Sequence, residues 1–194
     1  MTSEDTDEEL MLAVCDGDQS AYQILVKRHL TAISHYAFRL LGNQRDTEDI
    51  SQEVFLRLWT HAAKWQPKKA KLSTWLHRIA HNLCVDFMRK HGRTILDEEP
   101  TELEKNDEDY DSNEPELDAN DRAQSLNSAL NSLPESQRSA LMLCHYAGFS
   151  NKEAAAIMNV SVKALESNIA RARRKLRDLL EENQTMRGET ETIG

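Results

Sequence analysis

The stretch Ser150-Asn151-Lys152-Glu153-Ala154-Ala155-Ala156-Ile157-Met158-Asn159-Val160-Ser161-Val162-Lys163-Ala164-Leu165-Glu166-Ser167-Asn168-Ile169-Ala170-Arg171-Ala172-Arg173-Arg174-Lys175-Leu176 reads as two helices and the turn between them. Ser150 and Glu153 have capping-box spacing: the hydroxyl takes the Glu153 N–H while the carboxylate reaches back to the Ser150 backbone. A short helix through Met158 ends in a tight Asn159-Val160-Ser161 turn. The next helix is long, with Val162, Leu165, Ile169, Ala172, Leu176 and Leu179 on one face. Ala154, Ala155 and Ala156 put small side chains where the two helices must cross closely. This is the helix-turn-helix layout. The second helix is expected to expose Lys163, Glu166, Ser167, Asn168, Arg171 and Arg174. Its N-terminal residues would face base edges in a major groove, where Asn reads adenine and Ser serves several bases. Arg171, Arg173, Arg174, Lys175 and Arg177 would mostly meet phosphates, which position without specifying. A helical hairpin of purely structural role has the same apolar spacing, so the pattern alone leaves that reading open.

Upstream, Leu126, Leu130 and Leu133 mark an earlier helix of the same domain. Pro134 suits the first position of the next, where its missing N–H costs nothing. That helix is expected to bury Leu141, Met142, Cys144 and His145 or Tyr146 and to stop at Gly148. The domain spans 119–182, followed by a tail, 183–194, expected to be disordered. Before it, 94–118 is highly charged, poor in apolar residues and broken by two prolines. Such a stretch cannot offset the entropy of ordering, so it reads as a flexible acidic linker.

The remaining residues, 1–93, read as a second helical domain. Leu10 to Cys15 forms a short helix stopped by Asp16-Gly17-Asp18. A longer helix carries Tyr22, Leu25, Val26, Ile33, Tyr36, Ala37 and Leu40 and ends at Gly42. Asp46 is the expected N-cap of a third helix, running to about Ala62, whose Ile50, Val54 and Leu58 stack inward. Asp46, Asp49, Gln52, Glu53 and Arg57 lie on its more exposed sides. A lysine-rich loop, Trp65 to Lys71, leads to a fourth helix with Leu72, Leu76, Ile79, Leu83 and Phe87 as its buried stripe. His77, Arg78, His81, Asn82, Asp86, Arg89 and Lys90 fall largely outside that stripe. The fold class is therefore all-α: two small helical domains joined by an acidic linker.

The net charge of −9 hides an uneven distribution. Residues 94–121 hold thirteen acids against one lysine, and the first ten residues hold five acids and no base. By contrast, 64–93 has eight bases and one acid, and 163–177 has six bases and one acid. Clustered positive charge of this kind is the footprint of a phosphate binder, although two solvated helix faces would also produce it. The lysine loop and fourth helix add Asn82 and the aromatics Trp65, Trp75 and Phe87. A positive groove with stacking faces suits single-stranded or unstacked bases, while Trp75, beside the buried stripe, also fits the core.

Several classes are disfavoured. No segment approaches the roughly 18 consecutive apolar residues of a membrane span, so no membrane insertion is expected. The N-terminal residues are acidic where a signal peptide is basic. Cys15, Cys84 and Cys144 are far apart, odd in number and in no metal-ligand spacing, as expected of buried thiols in a reducing cytoplasm. His77 and His81 stand at i, i+4, but no Glu follows His77 as in His-Glu-x-x-His, so two solvated histidines are the expectation. There is no Gly-rich phosphate loop and no Cys/His or Ser/His pair that can be placed. Neither catalysis, a metal nor a cofactor is expected.

Three ordered motifs resemble the extracytoplasmic-function (ECF) group of bacterial sigma factors. The first is Asp46-Thr47-Glu48-Asp49-Ile50-Ser51-Gln52-Glu53-Val54-Phe55-Leu56-Arg57-Leu58-Trp59, similar to the family's core-polymerase-binding helix. The second is Leu72-Ser73-Thr74-Trp75-Leu76-His77-Arg78-Ile79-Ala80-His81-Asn82, through Asp86 and Arg89-Lys90, similar to its promoter-melting helix. The third runs from Leu133-Pro134 through Gly148-Phe149-Ser150 to Leu176-Arg177, similar to its upstream-element reader.

The resemblance implies that Asp49, Gln52 and Glu53, with Asp46 beside them, meet the clamp helices of the polymerase β′ subunit. It implies that Lys68, Lys69, Lys71 and Asn82 capture a flipped base of the −10 element, with Arg89, Lys90 and Arg93 on the adjacent duplex backbone. Lys163, Ser167, Asn168, Arg171, Arg174 and Lys175 would then serve the −35 element while the domain packs on the β flap. The linker would follow the polymerase's RNA path, its acids mimicking RNA. An anti-sigma factor is the implied regulatory partner. Many members carry Lys-Ser-Arg early in the recognition helix, where this chain has Glu166-Ser167-Asn168. Glu166 could accept from a cytosine amino group or pair with a basic neighbour on its own helix. A free-standing helix-turn-helix regulator is the rival reading, and a structural RNA-binding adaptor a third. The Asp49/Gln52/Glu53 face and the basic Asn82 helix favour the sigma factor, since a stand-alone regulator needs neither.

Overall fold

The computed structural model describes residues 5–94, 126 and 128–190, with the side chains of 91–94 and 182–190 excepted. Arg93 as a phosphate contact, the acidic linker and most of the stretch preceding Leu130 thus lie outside the described residues. No strand occurs among those described.

The first domain comprises α1 (Asp7–Cys15), α2 (Gln19–Leu41), α3 (Gln44–His61), a 3₁₀ turn (Ala62–Lys64) and α4 (Leu72–Thr94). Local chemistry sets the boundaries. Thr6 and Glu9 form a capping box on α1, and Asp18 caps α2 by accepting from Ser20 and Ala21 N–H. Gly42 ends α2 at φ 70°, a left-handed conformation that costs a glycine nothing. Helix α3 starts earlier than its sequence suggested. Asn43 is the N-cap and accepts from the Asp46 N–H, so Asp46 lies within the first turn. Its charge there complements the positive end of the helix dipole.

In the second domain a helical stretch, 128–131, precedes α5 (Glu135–Leu141), which continues as a π-helical turn, Met142–Tyr146. Pro134 is the N-cap of α5, one position ahead of its expected place. Helices α6 (Asn151–Met158) and α7 (Val162–Thr190) follow. The Ser150/Glu153 capping box is formed, and Asn159 turns the chain at φ 55°. Helix α7 runs eight residues past the boundary expected at 182, with no proline to stop it.

One hydrophobic cluster runs through both domains. Leu25, Ile33, Tyr36, Leu58 and Leu76 anchor it in the first, and Leu143, Ile157 and Leu165 in the second, all essentially inaccessible to solvent. Helix α4 is the shared wall, with α2 and α3 on one side and α6 on the other. This corrects the buried stripe expected for α4. Thr74, His77, Ala80, His81, Cys84 and Val85 are buried together with Leu72 and Leu76, while Ile79, Leu83 and Phe87 are only partly covered. A single amphipathic stripe describes a helix with one neighbour, and α4 has neighbours on two sides.

Candidate nucleic-acid interface

The lysine loop is held shut from within. Trp65 Nε1 donates to the Ala70 carbonyl at 3.1 Å, and the N–H groups of Lys69 and Ala70 both donate to the Gln66 carbonyl. Lys68, Lys69 and Lys71 therefore project from a tight turn and are exposed. Asn82, Arg78, Arg89 and Lys90 are exposed along α4. Trp75 is half-buried. It lines an open groove of about 590 Å³ between α3 and α4, with Glu53, Leu56, Arg57 and Ile79 among the other walls. On α3, Asp49 and Gln52 are exposed, Asp46 is half-buried, and Glu53 is partly engaged by Arg57 Nε at 2.7 Å.

Two cations of this surface are held by the second domain. Lys71 Nζ lies 3.3 Å from Glu153 Oε1, and Arg89 Nε lies 3.5 Å from Glu135 Oε2. The seam between these pairs is apolar and aromatic. The His77 ring meets Phe149 edge-on at 4.7 Å between centroids, and Arg138 Nη2 contacts Met88 Sδ at 3.0 Å. At its margin Arg39 stacks over Tyr146 at 4.8 Å. Glu135 and Glu153 thus face two of the cations expected from the sequence to contact DNA, a placement that nothing in their local sequence signals. Glu153 is legible there only as half of a capping box.

Both histidines expected in solvent are buried, His77 at 4% and His81 at 6% exposure, because α6 and the Phe149 turn close over α4. His77 Nδ1–H donates to the Ser73 carbonyl at 2.8 Å, while its Nε2 is buried without a partner. Tyr36 Oη and His81 Nδ1 share a hydrogen bond at 3.0 Å. Burial, and secondarily the charge of Arg89, push His81 down to about 4, so its ring is neutral near pH 7. Burial also raises the Tyr36 hydroxyl well above its ordinary value and Cys84 to about 12. These are packing groups. No cluster of three or more His, Cys, Asp or Glu side chains suited to a metal occurs among the described residues. No described helix is long and apolar enough to cross a membrane.

On α7, Lys163, Arg171 and Arg174 are exposed as expected. Asn168 is not: it is 9% exposed, and its Oδ1 accepts from Arg171 Nη2 at 2.8 Å. One turn of α7 is rotated further into the domain than apolar spacing implied, which turns Asn168 from a base-facing group into a brace for Arg171. Ser167 is half-buried and donates to the Lys163 carbonyl. Lys175 reaches back to donate to the Ser132 carbonyl at 2.9 Å, capping the end of the 128–131 helical stretch. Arg173 leans on His145.

A two-domain helical protein with a helix-turn-helix and a separate basic loop and helix belongs to the class of DNA-binding transcription factors. Family comparison narrows the class. Residues 25–94 match sigma-70 region 2, and residues 123–176 match sigma-70 region 4. The ECF RNA polymerase sigma factor SigE of Mycolicibacterium smegmatis is 35% identical over 91% of this chain and 70% of its own. The structure of CnrH in complex with the cytosolic domain of CnrY is similar at a TM-score of 0.69 and 28% identity, covering 92% of this chain and 99% of CnrH. RpoE of Bartonella quintana, solved with the anti-sigma factor NepR, is similar at 0.67 and 27% over 82% of this chain and 96% of its own. The chain belongs to the ECF group of sigma-70 family sigma factors.

Proposed function

We propose that this sigma factor acts only within RNA polymerase, as a cytoplasmic specificity subunit without catalytic activity of its own. Asp49 and Gln52, with Asp46 and Glu53 flanking them, would bind the β′ clamp helices through α3. Lys68, Lys69, Lys71 and Asn82 would capture an unstacked −10 base, with Arg89, Lys90 and Arg93 on the neighbouring backbone. The second domain, seated on the β flap, would read the −35 element through α7, with Lys163, Arg171 and Arg174 on it. Residues 1–93 and 119–182 would be the two functional domains and 94–118 the acidic connection between them. Ser167 and Lys175 keep supporting parts in this reading, while Asn168 acts through Arg171. The similarity to RpoE, solved with NepR, supports control by an anti-sigma factor.

The observation that carries the reading is the pairing of Glu135 and Glu153 with Arg89 and Lys71. These two cations take carboxylate partners across the domain seam, which supports a surface suited to the anionic groups of a polynucleotide backbone. The test is transcription from fragmented host genomic DNA by core polymerase with and without the full chain, with start sites mapped. New starts sharing two spaced upstream motifs are expected. Binding to duplex DNA without new starts would instead leave a free-standing regulator.

A further inference from the structure

Glu166 is the one acid in the basic run 163–177. Its two sequence-level readings, base contact or intrahelical ion pair, are separated by the geometry. Three and four residues away on α7 stand Val162, Lys163, Ile169 and Ala170, so Lys163 alone could pair with it along the helix. Among the described residues Glu166 makes no ion pair. Its partner is instead neutral and lies across the helix-turn-helix: Asn151 Nδ2, the first residue of α6, donates to Glu166 Oε1 at 3.2 Å. The amide is held at its other end too, because Cys144 Sγ–H donates to Asn151 Oδ1 at 3.7 Å. Burial raises the Cys144 thiol, which keeps that donor protonated. With Oδ1 taken by a donor, Nδ2 must face the carboxylate. One carboxylate oxygen is so tethered; the other makes no hydrogen bond among the described residues, and the side chain is exposed.

The neighbouring candidates withdraw at the same time. Asn168 is buried and braces Arg171, and Ser167 spends its proton on the Lys163 carbonyl. An unneutralised carboxylate is repelled by a phosphate-lined groove unless it accepts a hydrogen bond there. An acid oriented by a neutral amide, on the exposed face of a groove-entering helix, is therefore suited to one kind of base edge.

We propose that Glu166 is a specificity-determining residue that accepts from the N4 amino group of a cytosine in the −35 element, with Asn151 as its positioning residue. This rests on the reading that α7 enters the major groove of that element. Holoenzyme made from the full chain is tested for binding to a panel with every base at each −35 position. The wild type should prefer cytosine at one position by about tenfold. Glu166→Ala and Glu166→Gln should reduce that ratio below about twofold while leaving the rank order at other positions unchanged. Asn151→Ala should weaken the same ratio without shifting the melting temperature, which a merely structural role would not do. If Glu166→Ala instead changes affinity equally for all bases, the acid acts only through its charge and the proposal fails while the sigma reading stands. If the wild-type holoenzyme shows no −35 preference at all, the sigma reading of the second domain fails with it.

Discussion

Tyr36 and His81 form a buried hydrogen bond whose proton balance makes the chain's stability depend on pH. An unfolded histidine titrates near 6.5, and burial here, with Arg89 nearby, lowers His81 to about 4. Between those values the unfolded chain binds more protons than the folded one, so stability rises with pH. Lowering the pH from 7 toward 4 should therefore cost up to about 3 kcal/mol from this group alone, with His77, also lowered by burial, adding in the same direction. Chemical unfolding measured across pH 4–7 checks this. His81→Gln keeps a hydrogen-bond partner for the Tyr36 hydroxyl and removes the titration, so its stability should vary less over that range. An unchanged slope would show that the acid sensitivity lies in other groups.

At the scale of elements, the helix-turn-helix depends on short-range contacts at its ends. Ser150 accepts the Glu153 N–H, and the Glu153 carboxylate takes both the Ser150 N–H and its hydroxyl, which hold that carboxyl below its ordinary value. Ser150→Ala should cost about 1 kcal/mol, or roughly 2–4 °C in thermal melting for a chain of this size. Ser150→Asp should recover most of the loss, because it restores an N-cap acceptor. Asn159 serves at the other end of α6, where a left-handed residue is required and asparagine tolerates it best after glycine. Such features are legible in the sequence itself, since a capping box and a turn residue act over three or four positions. The first turn of α3 is less so: Asn43 and Asp46 are both good N-caps, and only the backbone geometry chooses between them.

For the whole molecule, the docking of the two domains decides what is exposed. The Lys71–Glu153 and Arg89–Glu135 pairs are partly solvated, so each contributes on the order of 0.2–1 kcal/mol. Glu135→Gln with Glu153→Gln should shift the docked form toward separation by on the order of threefold to tenfold. Fluorescence transfer between labels on the two domains would read the shift, and raised salt should mimic it in the unsubstituted chain. Equal transfer in both proteins would mean that the Phe149–His77 seam alone holds the domains. Helical class, the turn of the helix-turn-helix, the basic clusters and the family motifs all follow from the sequence, because each depends on neighbours within a few residues or on composition. The burial of His77, His81 and Asn168, the capture of Lys71 and Arg89 by distant glutamates, and the Cys144–Asn151–Glu166 chain were decided by the tertiary structure. The physical reason is that a helix carries its own periodicity in sequence, whereas the number of neighbours packed around it, and the charges they bring, come from residues far away in the chain.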